Sequence, residues 1–237
     1  MKQQICTFVS HRRSPRAIDY LLYLPTGYGR RAAVRWPLIL FLHGAGERGD
    51  DPALLMHTAL PRALEHWDHF PFIVVSPQCP TRSWWQRDIH RLAQLLESVT
   101  GTLAVDPARV YLTGVSMGGY ATWHLGACYP QRFAALAPIC GYGLRSQGFP
   151  ERVCALKDVP VWAFHGAHDE IVPPDASRSL VDTLRGCGGD VRLTIYPQTG
   201  HDAWTRTYAD PALYDWLLSH ARPGDGGRKP SRRGSRR

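Results

Sequence analysis

RVYLTGVSMGGY, residues 109–120, decides how the rest of the chain is read. Its first five residues, Arg109 to Thr113, have the short aromatic and β-branched run of a buried strand. From Met117 to Cys128 the composition is helical. Between them, Gly114-Val115-Ser116-Met117-Gly118 fits G-x-S-x-G, the strand–turn–helix pattern of a nucleophile elbow. A serine on so sharp a turn crowds the positions two before and two after it, and glycine at both relieves that crowding. Gly119 permits further close helix–sheet contact. The turn lifts the serine oxygen to a helix N-terminus, where backbone amides point outward.

Working outward, apolar runs alternate with helical segments. Strands are predicted over Arg16–Leu24, Pro37–Leu42, Pro71–Val75, Phe133–Ile139, Pro160–Phe164 and Val191–Tyr196. Helices are predicted over Ala53–Leu64, where Pro61 interrupts, and over Arg87–Thr100, Ala176–Arg185 and Pro211–His220. Alternation of this kind implies βαβ units and a mostly parallel sheet with helices on both faces. The strands read as continuous apolar stretches, as a sheet covered on both sides requires. Ligands in such sheets sit at the carboxyl ends of the strands, so reactive residues should fall just after strands.

A serine hydroxyl needs a base, and behind a G-x-S-x-G elbow the chain order is serine, acid, histidine. Asp169, in His165-Gly166-Ala167-His168-Asp169-Glu170, follows the strand PVWAF. His201, in Gln198-Thr199-Gly200-His201-Asp202, follows VRLTIY. His201 would take the serine proton, and Asp169 would hold its tautomer. His168 competes for the base, and Glu170 and Asp202 for the acid. For the oxyanion hole, the residue after the serine supplies the Met117 amide. The Gly-rich loop His43–Gly49 supplies a second, from Ala45 or, next, Gly44.

The 237 residues suit one α/β domain, and 44% of them are hydrophobic. Net charge is +8, but Arg222 to Arg237 hold seven Arg or Lys against one Asp, leaving the body nearly neutral. The domain is therefore expected over 1–220, with 221–237 a disordered basic tail too poor in apolar residues to fold. That tail supports at most weak, non-specific, salt-dependent binding to nucleic acid or an anionic surface; no specific nucleic-acid partner is expected. The six cysteines are scattered without a CxxC pair and read as neither a disulfide framework nor a zinc site, which favours a reduced compartment. The N-terminus lacks the roughly 7–15-residue apolar stretch of a secretory signal. No run approaches the roughly 20 apolar residues of a membrane span. A cytoplasmic protein is the resulting expectation.

The segments LILFLHGAGERGDD, FIVVSPQCP, VYLTGVSMGGYATW, VWAFHGAHDEIVP and YPQTGHDAW resemble those of bacterial α/β-hydrolases, in order and spacing, from about Pro37 to Leu218. Such proteins are described as predicted peptidases, phospholipase/carboxylesterase-like proteins, or feruloyl-esterase and polyhydroxyalkanoate-depolymerase-like esterases. The resemblance implies the α/β-hydrolase fold, with Ser116 as nucleophile, Asp169 as acid and His201 as base. It implies oxyanion amides at Ala45 and Met117, and neither a metal nor an organic cofactor.

Gly141 to Asp158, between two strands, is too short for a large helical lid, so little or no cap is expected and the site should be open. A small-molecule ester with a short or aromatic acyl group is the expected substrate. Trp84, Trp85 and Trp204 fall on loops at the active end of the sheet; they either stack against an aryl or sugar group or pack under the loops. A serine peptidase or thioesterase on the same fold is the nearest alternative, and a non-catalytic binding protein the more distant one.

Overall fold

The computed structural model describes residues 3–10 and 17–223. Eight strands form one sheet: β1 (Gln3–Val9), β2 (Ala17–Tyr23), β3 (Trp36–Leu42), β4 (Ile73–Pro77), β5 (Val105–Val115), β6 (Ala135–Ile139), β7 (Val161–Gly166) and β8 (Val191–Tyr196). Their order is β1-β2-β4-β3-β5-β6-β7-β8. The first two join antiparallel, and β4, β3 and β5 to β8 run parallel. In the centre, Leu40 pairs with Leu112 and Leu42 with Gly114. The parallel strands therefore finish side by side, and the loops that follow them share one rim of the sheet.

The period-2 geometry of a strand sorts side chains onto the two faces. Leu38, Leu40 and Leu42 join one apolar cluster, with residues of α2 (Trp85–Thr102), α3 (Met117–Cys128) and α4 (Pro174–Gly186). Ile39 and Phe41 join the other, with residues of α1 (Ala59–Ala63), α5 (Trp204–Ala209) and α6 (Pro211–Leu218). Helices thus cover both faces, as the unbroken apolar strands predict. Each fully buried Leu, Ile or Phe stabilises the layers by roughly 1.5–3 kcal/mol. In α3, Met117 to Ala127 are all buried, which suits the helix that leaves the central strand. Between β6 and β7 lie only two 3₁₀ turns, Arg145–Gln147 and Glu151–Leu156, so no cap domain stands there.

Several elements differ from the sequence reading. The single helix expected over Ala53–Leu64 is three pieces, a 3₁₀ helix at Pro52–His57, α1, and a 3₁₀ turn at Leu64–His66. Thr58 is extended between the first two, and Ala59 takes a positive φ of 42°. Pro61 is accommodated because it falls in the first turn of α1, where its missing N–H has no helical partner to lose. β1 is an edge strand whose side chains are mostly exposed, and so it lacks the apolar run that marks the others. α5 has six residues, too few to show a helical period.

The cysteine reading is corrected: Cys154, in the second 3₁₀ turn, and Cys187, the C-cap of α4, form a disulfide with Cα atoms 5.5 Å apart. Cys6, Cys79, Cys128 and Cys140 are free. Most of the expected basic tail lies outside the described residues. Arg222, near its start, donates its amide to Ala108 O at 2.8 Å. Among the described residues, no helix is long and apolar enough to cross a membrane.

Candidate active site

Ser116 stands between β5 and α3 with φ 54° and ψ −114°, a conformation L-residues rarely adopt. Its amide donates to Ile139 O at 2.9 Å, and its carbonyl accepts from Tyr120 N at 2.9 Å. The turn closes only because its flanks lack side chains. A Cβ on Gly118 would collide with the Leu42 carbonyl, and one on Gly114 would meet Leu42 O at 2.7 Å.

The loops after β7 and β8 bring two partners to this serine. His201 Nε2 lies 2.9 Å from Ser116 Oγ, and His201 Nδ1 lies 2.7 Å from Asp169 Oδ2. A carboxylate only accepts, so Nδ1 carries the proton and Nε2 is free to accept from the serine hydroxyl. Asp169 Oδ1 takes the amides of Ile171 and Val172 at 3.0 and 2.9 Å. Burial pushes the Asp169 carboxyl up. The His201 hydrogen bond and these two amides more than offset it, so its pKa lies below the ordinary value and it is ionised at neutral pH. The competing residues are elsewhere: His168 and Glu170 are exposed, and Asp202 is spent on Thr205, whose amide and hydroxyl it accepts.

The loop after β3 lies against the serine. A Cβ on Gly44 would touch Ser116 Cβ at 3.7 Å, and Ala45 shares with Ser116 and Met117 the lining of a cavity of about 450 Å³. The other walls are Trp84, Tyr142, Ile171, Val172, Pro173 and Ala176. No wall carries a formal charge, so the cavity favours an apolar group. Of the three tryptophans singled out from the sequence, Trp84 alone lines it. Trp84 is 38% exposed, with the Arg48 guanidinium 4.2 Å over its ring. Trp85 is a correction: at 0% exposure it sits in the core and donates Nε1–H to His43 O at 3.0 Å, out of reach of any ligand. Helix α2 begins at Trp85 and points this side chain inward. Trp204 stands edge-on to the His201 ring, 5.2 Å between centroids, and backs the imidazole.

The sequence pattern of the phospholipase/carboxylesterase family matches residues 56–212, two thirds of the chain and all of Ser116, Asp169 and His201. The chain belongs to that family. A bifunctional acetylxylan esterase/xylanase of Neocallimastix patriciarum is 30% identical over 163 residues, covering 65% of this chain and 22% of that protein. Acyl-protein thioesterase 1 of Gibberella zeae is 32% identical over 100 residues, covering 41% of this chain and 43% of its own length. The chain thus spans less than half of either curated relative. The crystal structure of a thermostable esterase superposes with a TM-score of 0.75 at 31% identity, over 92% of this chain and 63% of that one. The architecture is the α/β-hydrolase fold.

In this carboxylesterase-family chain, three buried groups that sequence reasoning did not single out hold the site. His43 donates from Nδ1 to Gly44 O at 2.6 Å and accepts the Cys79 amide at Nε2, 2.9 Å away. It thereby ties the Gly-rich loop to the end of β4. Burial lowers its pKa to about 4, so it is neutral at pH 7. Cys140 donates its thiol to His201 O at 3.1 Å. Its Sγ, Asp169 and His201 present ligand atoms within 4.8 Å of one another. Burial and the Asp169 charge push the thiol up to about 12, which keeps it protonated at pH 7 for this hydrogen bond. The third is His165, beside Asp169. A histidine ending a strand just before an expected acid was the only sequence signal for it.

Proposed function

We propose that this protein hydrolyses carboxylic esters through an acyl-enzyme on Ser116, and that its preferred acyl group is short or aromatic. The observation that carries this reading is the unbroken chain of hydrogen bonds from Ser116 Oγ through His201 to Asp169, beside an uncharged cavity. Ser116 Oγ attacks the ester carbonyl carbon while His201 Nε2 takes its proton. The carbonyl oxygen becomes an oxyanion facing the amides of Met117 and Ala45. As the intermediate collapses, His201 returns the proton to the departing alcohol. Water then attacks the acyl-serine, gives a proton to His201, and releases the acid and the free serine. Asp169 stays ionised and stabilises the imidazolium each time it forms. Every step is served by side chains and amides of this chain. The free face of Trp84 supports an aryl group, since a flat ring stacks on it with little loss of side-chain freedom.

A thioester is the second reading, favoured by the likeness to acyl-protein thioesterase 1 and by the same machinery. On location, the sequence predicts the cytoplasm, whereas the Cys154–Cys187 disulfide favours an oxidising compartment. The testing experiment is hydrolysis of p-nitrophenyl esters from acetate to dodecanoate by wild type and Ser116→Ala. We expect kcat to fall about 10⁴–10⁶-fold in the variant, with the optimum at short chains. Equal rates in the two proteins would remove Ser116 as nucleophile.

A further inference from the structure

The mechanism above gives no part to His165, a fully buried histidine beside Asp169. His165 is near the end of β7 and has no exposed surface. Its Nε2 lies 3.1 Å from Asp169 Oδ2 and 2.8 Å from Val172 O. Both of those atoms can only accept, so in the neutral ring Nε2 carries the proton and Nδ1 is the acceptor; the Ser177 hydroxyl lies 2.8 Å from Nδ1 and has Gly141 O, 3.0 Å away, as its other acceptor. Burial lowers the pKa of this imidazole, which keeps it neutral at pH 7 with a single proton to give. The ionisable groups facing it are Asp169 and His201, with the Cys140 thiol within 4.8 Å of that pair.

Asp169 accepts the two amides at Oδ1 and the His201 Nδ1–H at Oδ2, and has at Oδ2 a further, longer contact of 3.1 Å from His165 Nε2, whose single proton also serves Val172 O at 2.8 Å. Its side chain has no exposure to solvent, and water does not replace a missing donor there. The same ring reaches the substrate cavity: Val172, whose carbonyl it holds, lines the cavity, and Ser177 lies one residue beyond Ala176, another lining residue.

We infer that His165 is a positioning residue: its imidazole fixes the Asp169 carboxylate for His201 and ties the acid to the Val172 wall of the cavity. The inference rests on the serine-hydrolase reading above. It predicts a chemical effect as well as a packing one. A neutral N–H disperses part of the carboxylate charge. Without it, Asp169 attracts the His201 imidazolium more strongly, and the base is lost to protonation at a higher pH.

The test is kcat and KM against pH for p-nitrophenyl acetate, with wild type, His165→Leu and His165→Gln, folding being verified by circular dichroism. His165→Leu should lower kcat by about 10–100-fold, the usual scale for an outer partner that orients a reacting ligand. It should also move the acidic limb of kcat/KM to higher pH. His165→Gln, whose amide N–H reaches toward the place of Nε2, should recover most of both. A folded His165→Leu with wild-type kcat and an unmoved limb would overturn the inference, as would a Gln variant no better than Leu. If the Leu variant does not fold, the Gln variant decides. A wild-type limb supports the role, and kcat reduced tenfold or more with the limb displaced overturns the claim that a donor there suffices. Activity of wild type that survives Ser116→Ala would instead fail the underlying hydrolase reading, whatever His165 does.

Discussion

At Trp84 and Trp85 two identical side chains, adjacent in sequence, do opposite things. Trp84 is the extended N-cap of α2, and its ring stands at the cavity under Arg48. Arg48 is itself held, Nε to Ala45 O at 3.0 Å and Nη1 to Ser83 O at 3.3 Å, so the tryptophan has a fixed backing. Trp85 opens the helix and turns inward against His43, 5.0 Å between ring centroids. We predict that Trp84→Ala raises KM for an aryl ester and leaves the melting temperature nearly unchanged. Trp85→Ala should cost about 3–5 kcal/mol of stability, the scale for truncating a buried aromatic. Chemical denaturation and Michaelis kinetics on both variants separate the two roles; an unaltered KM in Trp84→Ala removes the stacking surface. That Ser116, Asp169 and His201 come together was legible in the sequence, because each follows an apolar run in the order that a G-x-S-x-G turn demands. The division between the tryptophans was not legible, because it depends on a helix boundary and on a carbonyl 42 residues away.

Among the elements, α4 links the cavity wall to the disulfide. Ala176, in its first turn, walls the cavity, while Cys187 at its far end is bonded to Cys154 in the turn before β7. The bond spans 33 residues of sequence. A crosslink closing a loop of that size stabilises by about 2–4 kcal/mol, chiefly through the unfolded chain in the entropic account. Cys154→Ser should lower stability by that amount, and unreduced denatured protein should titrate four thiols rather than six. Six titratable thiols would remove the disulfide. The pairing was invisible in sequence because scattered cysteines carry no spacing signal; only packing of α4 against the Glu151–Leu156 turn brings them together. The broken helix over Ala53–Leu64 has the same origin. Its composition is helical, but Thr58 is extended and Ala59 left-handed within the packed layer, and local propensity yields to that.

Over the whole molecule, buried histidines make stability fall in acid. His43 moves from an ordinary value of 6.5 to about 4, through burial first. The unfolded chain therefore binds a proton in the window between those values that the folded chain refuses. Stability is complete above pH 7 and falls as the pH drops from 6.5 toward 4, by up to roughly 3 kcal/mol for this group. His124 is lowered to about 4 as well, by burial and by the nearby Arg152 charge, and adds to the loss in the same direction. Urea unfolding at pH 7.5 and pH 4.5 should show the difference, and equal midpoints would contradict neutral buried histidines. By itself, the amino-acid sequence determined the layered α/β architecture, the sharp strand–helix turn at Ser116 and the order in which Ser116, Asp169 and His201 follow their strands. These are local patterns: apolar periodicity, glycines around a serine, polar residues just past strands. Only the tertiary structure decided which of the flanking polar residues turn inward, that His165 and His43 hold the site, that Trp85 belongs to the core, and that Cys154 meets Cys187. Those outcomes depend on contacts between residues far apart in the chain, where each side chain's partner is chosen by the packing of the sheet and its helices rather than by its neighbours in sequence.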